Sequence, residues 1–175
     1  MKSFLFILLF TITSLYSKEV LLLHSYHKGY AWSDEISNTI EKQLFPYQNI
    51  ELSTVYMDTK RITTHTYLDK LALLYKEQFS ERNFDLVIVS DNNAFDFAIK
   101  HKNTLFKNIP ILFCGINNFD KTVFFQNNLQ KNMTGILEGV DLVKNFELIL
   151  HLHPSVSKLL ILNDTSKTGL ALKRD

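Results

Sequence analysis

Short, unbroken apolar runs alternate along this chain with longer stretches whose apolar residues recur every third or fourth position. The short runs are residues 20–23 (VLLL), 84–89 (FDLVIV), 109–113 (IPILF) and 159–162 (LLIL). Unbroken runs of this length suit strands covered on both faces, as in parallel sheets. Residues 50–57 (IELSTVYM) alternate more and read as a strand nearer a sheet edge.

Between these runs the spacing predicts helices. Trp32, Ile36, Ile40 and Leu44 form one apolar row, with Ser33 as a candidate cap, Asp34 and Glu35 in the first turn, and Pro46 as the stop. A second helix is predicted over residues 64–82, with Leu68, Leu71, Leu74 and Phe79 turned inward. A third begins near Asp91 and buries Ala94, Phe95, Ala98 and Ile99. A fourth follows Asp141, with Leu142, Phe146, Ile149 and Leu150 on one side and Pro154 as its stop. The predicted order is β-α-β-α-β-α-β, a loop, then β-α-β. This is an α/β fold, a three-layer arrangement of a parallel sheet flanked by helices.

Right-handed crossovers put the C-terminal ends of all such strands on one rim, and ligands of open α/β sheets sit on that rim. The residues that follow the runs are therefore informative. They are His24-Ser25-Tyr26-His27, Ser90-Asp91-Asn92-Asn93, Gly115 with Asn117 and Asn118, and Asn163-Asp164-Thr165-Ser166. Each offers short donors and acceptors next to a helix N-terminus, where free N–H groups favour polar or anionic groups. Any single one of these residues also suits an ordinary helix cap. It is the convergence of four such turns that marks the rim as a binding edge. Trp32 heads a helix on that rim and suits either a stacking role or the core; Tyr26 and Tyr30 offer further aromatic walls.

Composition narrows the class. Met1-Lys2, an apolar run over residues 4–15 and Ser17 read as a secretory signal. The run is about a dozen residues, against the roughly 20 a membrane-spanning helix needs. The sequence-based division is therefore a signal over 1–17, a first lobe over 18–140 and the start of a second over 141–175, with a periplasmic location. Without residues 1–17 the basic and acidic residues balance at 18 each. No basic stripe marks the chain, which argues against nucleic acid as a partner. Cys114 is the one cysteine, so no internal disulfide can form; within ILFCG it reads as a small buried side chain.

Catalytic patterns are sparse. The chain contains no GxSxG, HExxH or GxxxxGK[ST]. His151 and His153 fall on nearly opposite sides of a helix, and His24 and His27 have no Cys or carboxylate spaced beside them, so neither a metal nor another cofactor is expected. Asp164 follows an apolar run as a phosphoryl-accepting Asp would, but Ser166 stands where a second Asp is expected.

The stretches 20–32 (VLLLHSYHKGYAW), 84–92 (FDLVIVSDN), 109–119 (IPILFCGINNF), 134–141 (TGILEGVD), His153-Pro154 and 160–169 (LILNDTSKTG) also occur in an order that resembles a known family. This is the periplasmic ABC-transporter substrate-binding-like domain, of the type 1 periplasmic-binding-protein fold. It also serves as the extracytoplasmic sensor of bacterial histidine kinases and diguanylate cyclases. The resemblance implies two lobes closing on a small organic ligand. It implies that Ser25, Tyr26, Trp32, Ser90, Asp91, Gly115 and Asn117, with Asn92 beside them, line the first lobe's side of the cleft. Glu138 would lie near the hinge, and Asp164, Thr165, Thr168 and Gly169 would begin the opposite wall.

The HSYHKGYAW form is similar to the sensor branch more than to free transport proteins. The expectation is thus a non-enzymatic sensor domain for signal transduction, as in a two-component system, binding a small polar or aromatic solute. Any kinase or cyclase would lie in a membrane-embedded partner segment downstream. The alternatives are a transporter's substrate-binding protein and a phosphoryl-transfer enzyme using Asp164. The family's second lobe needs several more strands than residues 141–175 supply, so an incomplete second lobe is expected.

Overall fold

The structure is a computed structural model that describes residues 17–139 and 141–162, together with Leu170. Five strands form one sheet: β1 (Lys18–His24), β2 (Ile50–Tyr56), β3 (Leu86–Ser90), β4 (Ile111–Ile116) and β5 (Met133–Leu137). Their order is β2-β1-β3-β4-β5, and every neighbouring pair is parallel. The α/β class predicted from the runs is what forms. This order is doubly wound and reverses direction between β1 and β3, which makes that pair the topological switch point.

The helices are α1 (Ala31–Leu44), α2 (His65–Gln78), α3 (Asp91–His101), α4 (Lys121–Gln126) and α5 (Leu142–Leu152), with one 3-10 turn at Leu129–Lys131. Successive strand residues face opposite sides of the sheet. Leu21, Leu23, Val87, Val89, Ile111 and Phe113 meet Leu71 and Tyr75 of α2, Ala94, Phe97 and Ala98 of α3, and Phe124 of α4 in one continuous core. On the other side His24 bonds to Ser37 of α1. Helices therefore lie on both faces, but the apolar mass lies on the face of α2, α3 and α4.

Several local expectations are corrected. The N-cap of α1 is Tyr30, and Ser33 lies inside the first turn. The row Ile36, Ile40, Leu44 is only half-buried; Ser33 and Ser37 are the residues that α1 buries, Ser37 against His24 of the sheet. Leu74 is exposed and Tyr75 takes the inward place in α2. Ile99 is half-buried, with Phe97 packed in the core instead.

The segment after β4 read as a loop contains α4, capped by Asp120, whose carboxylate accepts the Val123 N–H. Residues 159–162, predicted as a strand, are not one: they have no ladder partner among the described residues and their side chains are exposed, Leu160 by 85% and Leu162 by 87%. An apolar run becomes a strand only where a neighbouring strand takes up its N–H and C=O groups. Helix α5 forms as predicted, capped by Asp141, yet buries no residue.

Gly115 sets the shape of the rim at β4. Its φ is +68°, in the left-handed region that favours glycine, and the β4–β5 register shifts between Phe113 and Ile116. Gly135 of β5 lies so close to Phe113 that an added Cβ would run into the Phe113 carbonyl oxygen and ring.

Candidate functional site

Because all five strands are parallel, their C-terminal ends share one rim, and a hydrogen-bond lattice ties the corners together. At the switch point, the Ser25 hydroxyl donates to the Ser90 carbonyl (2.8 Å) and accepts from the Ala94 N–H (2.8 Å). The loop after β2 joins through Thr59, whose hydroxyl donates to the Ser25 carbonyl at 2.6 Å and accepts from Asn93 Nδ2 at 2.9 Å. Towards β4, Asn92 Nδ2 donates to the Asn117 carbonyl (2.8 Å), and Asn92 Oδ1 accepts the Asn117 N–H (3.1 Å). Asn117 Nδ2 then donates to Glu138 just past β5 (3.1 Å).

Asp91 sits at the centre with a left-handed backbone, φ +71°. Its carboxylate accepts from the Tyr26 hydroxyl (2.5 Å) and from the Asn92 N–H (2.6 Å). Local acceptance by an Asp side chain is what makes a non-glycine left-handed residue tolerable.

The predicted site residues therefore divide. Ser25, Tyr26, Ser90, Asp91, Asn92 and Asn117 are all buried. They come together, and their polar groups are spent on one another, so they build the rim. Trp32 is 38% exposed, and its ring lies on Gly115: a Cβ there would stand 3.2 Å from the ring. Trp32 is thus a rim residue and does not belong to the core row. Glu138 is half-buried beside Asn117. Asp164, Thr165, Thr168 and Gly169 lie outside the described residues.

An open cavity of about 770 Å³ adjoins the lattice on the α3 side. Thr59, Thr63, Asn92, Asn93, Asn117 and Asn118 line it with neutral polar groups, and His65, Asp96, Lys100 and Asp120 line it with ionisable ones. Phe95, Ile116, Phe119 and Phe124 give it an apolar floor. A mostly apolar concavity with a few convergent polar groups is the usual form of a small-molecule site. Thr59 and Thr63 went unnoticed in the sequence, although the rule that placed the other corners puts the end of β2 on the same rim. Val123 and Phe124 belong to α4, a helix that the spacing does not predict, and Phe119 directly precedes its cap.

Charges near the rim are mostly paired. Arg61 bonds Asp58 through both Nε (2.7 Å) and an Nη (2.6 Å), holding that carboxyl below its ordinary pKa. His27 lies 3.5 Å from the same carboxylate. Lys60 lies over the Tyr26 and Tyr30 rings, 5.1 and 5.8 Å from their centroids. Burial, with the Asp91 charge adding to it, raises the Cys114 thiol pKa, so the thiol stays neutral.

Among the described residues no three His, Cys, Asp or Glu side chains gather as a metal site requires. No helix among them is long and apolar enough to cross a membrane. No family model, curated protein or solved structure matches the chain.

Proposed function

We propose that this chain is a small-ligand-binding module of the periplasmic-binding-protein type, receiving a solute on the rim at the strand C-terminal ends and serving as an extracytoplasmic sensor. The observation that carries the reading is the cross-tied rim beside an open, apolar-floored cavity. The lattice fixes the corners before any ligand arrives, so little ordering remains to oppose binding. Asn118 is exposed at the cavity and Asn93 lines it too; their neutral amide groups suit a small polar or aromatic solute better than a polyanion. Trp32, which does not line that cavity, offers a half-open ring for stacking farther along the rim, over Gly115. The sensing role rests on the resemblance of residues 20–32 to the sensor branch, and a transporter's binding protein would use the same rim. In either role, ligand shifts the equilibrium between open and closed forms only by its tighter binding to one of them.

The test is a thermal-stability screen against amino acids, small organic acids, nucleosides and sugars, followed by calorimetry on the solute that stabilises most. A ligand at about 100 times its Kd adds about 2.7 kcal/mol to stability. Trp32→Ala is expected to weaken binding of that solute about tenfold or more, about 1.4 kcal/mol, with the circular-dichroism spectrum unchanged. A screen in which no solute raises the melting temperature, or unchanged affinity in Trp32→Ala, would count against this reading.

A further inference from the structure

We propose that His24 is an acid-operated latch for helix α1: protonating its ring loosens α1, and with it Trp32, from the sheet. The ring has no exposed surface and is held from three elements. Nδ1 is 2.6 Å from Ser90 Oγ of β3, and Nε2 is 2.8 Å from Ser37 Oγ of α1. Tyr56 of β2 stacks on it with centroids 5.1 Å apart and planes 14° from parallel.

The hold of α1 on the sheet rests unusually on this polar contact. The only side chains that α1 buries fully are Ser33 and Ser37, beside the half-buried Ile36, Ile40 and Leu44, and among the described residues the Ser33 hydroxyl has no hydrogen-bond partner. By contrast α3 buries Ala94, Phe95, Phe97 and Ala98. An element with few buried apolar contacts opens locally at low cost. The Nε2–Ser37 bond is the shorter of the two that tie this serine to the sheet, the other being a 3.5 Å contact with the Tyr56 hydroxyl, and Trp32 stands at the start of the same helix.

Burial depresses the ring's pKa from 6.5 to about 4 while α1 is docked. Of the groups around the ring, Asp34 on α1 carries charge and favours protonation, without offsetting the burial. The Asp91 carboxylate is turned to Tyr26 instead, and Cys114, the register partner of Ser90, is neutral. With α1 open the ring returns towards its ordinary value, so the open form binds the extra proton and acid favours opening. Each pH unit between 6.5 and 4 multiplies the open population about tenfold, to a limit of about 300-fold.

Hydrogen exchange of the unliganded chain, followed amide by amide from pH 7 to 4, tests this independently of any ligand. Protection factors in α1 are expected to fall about tenfold per pH unit below 6.5 while those in α3 hold. In His24→Gln, whose amide keeps a donor and an acceptor but does not titrate, α1 protection is expected to stay flat. A flat wild-type profile, equal loss in α1 and α3, or an unchanged slope in His24→Gln would each overturn the latch. Should His24→Gln fail to fold, NMR titration of the wild-type ring decides alone: a pKa near 4 supports the latch and one near 6.5 removes it.

Discussion

Gly115 and Trp32 show how a single residue can shape a rim. The glycine's positive φ creates the shift in register that lets Ile116 pair with Leu137, and its missing side chain leaves room for the indole. Both demands act against any other residue. Gly115→Ala is therefore expected to cost about 1–2 kcal/mol from the left-handed backbone alone, read as a lower urea midpoint. Displacement of the indole should also shift the emission of Trp32, the chain's one tryptophan. An alanine variant as stable as wild type, with unchanged emission, would show that the backbone there is not constrained.

Helices differ in how firmly the sheet holds them. Phe97 of α3 is surrounded by Tyr75, His101 and Phe106, with centroids 5.8, 4.5 and 6.5 Å away. Phe97→Ala is expected to cost about 3–5 kcal/mol. Leu150 of α5 is 47% exposed, and Leu150→Lys should stay within about 0.5 kcal/mol of wild type. Chemical denaturation of the two variants side by side checks the contrast; comparable losses would mean that α5 packs more closely than it does here.

The sequence was legible where pattern and context agree. The runs in β1, β3 and β4 are apolar throughout and are central strands, while the alternating run in β2 lies at an edge. Periodicity failed where tertiary contact decides. Ile36 and Ile40 form a good helical row, yet the sheet meets the serines beside it. Residues 159–162 have the composition of a strand but no partner to pair with among the described residues. Lys121–Gln126 is too short to show a period, and only Asp120 as its cap could have signalled it. For the candidate site, sequence found the corners but not how they are used: the bonds of Ser25 to Ser90 and Ala94, Tyr26 to Asp91 and Asn92 to Asn117 are long-range and leave no trace in local spacing.

Taken whole, the molecule should lose stability to acid in two stages. His24 has a depressed pKa in the fold, and burial pushes His101 the same way. Their contribution is present above pH 6.5 and fades as pH falls, for His24 down to about 4. Asp58, Asp69, Asp85 and Asp141 are held below the ordinary carboxylate value of 3.8 by Arg61, Lys100, Lys18 and the N–H of Lys144 respectively. Their contribution is present above 3.8 and is lost as pH falls through their lowered values. Urea midpoints should therefore decline between pH 7 and 4.5 and again below 3.8, with His24→Gln removing most of the first decline. A midpoint constant from pH 7 down to 4 would contradict the burial of His24.

The parallel sheet has two rims, and the proposed ligand belongs on the one at the strand C-terminal ends. Amide chemical-shift mapping with the stabilising solute distinguishes the two directly. The predicted result is perturbation confined to Ser25, Trp32, Asn92, Gly115, Asn117 and their neighbours. Perturbation centred instead on Lys18, Ile50, Ile111 and Met133, at the opposite ends of the strands, would contradict it.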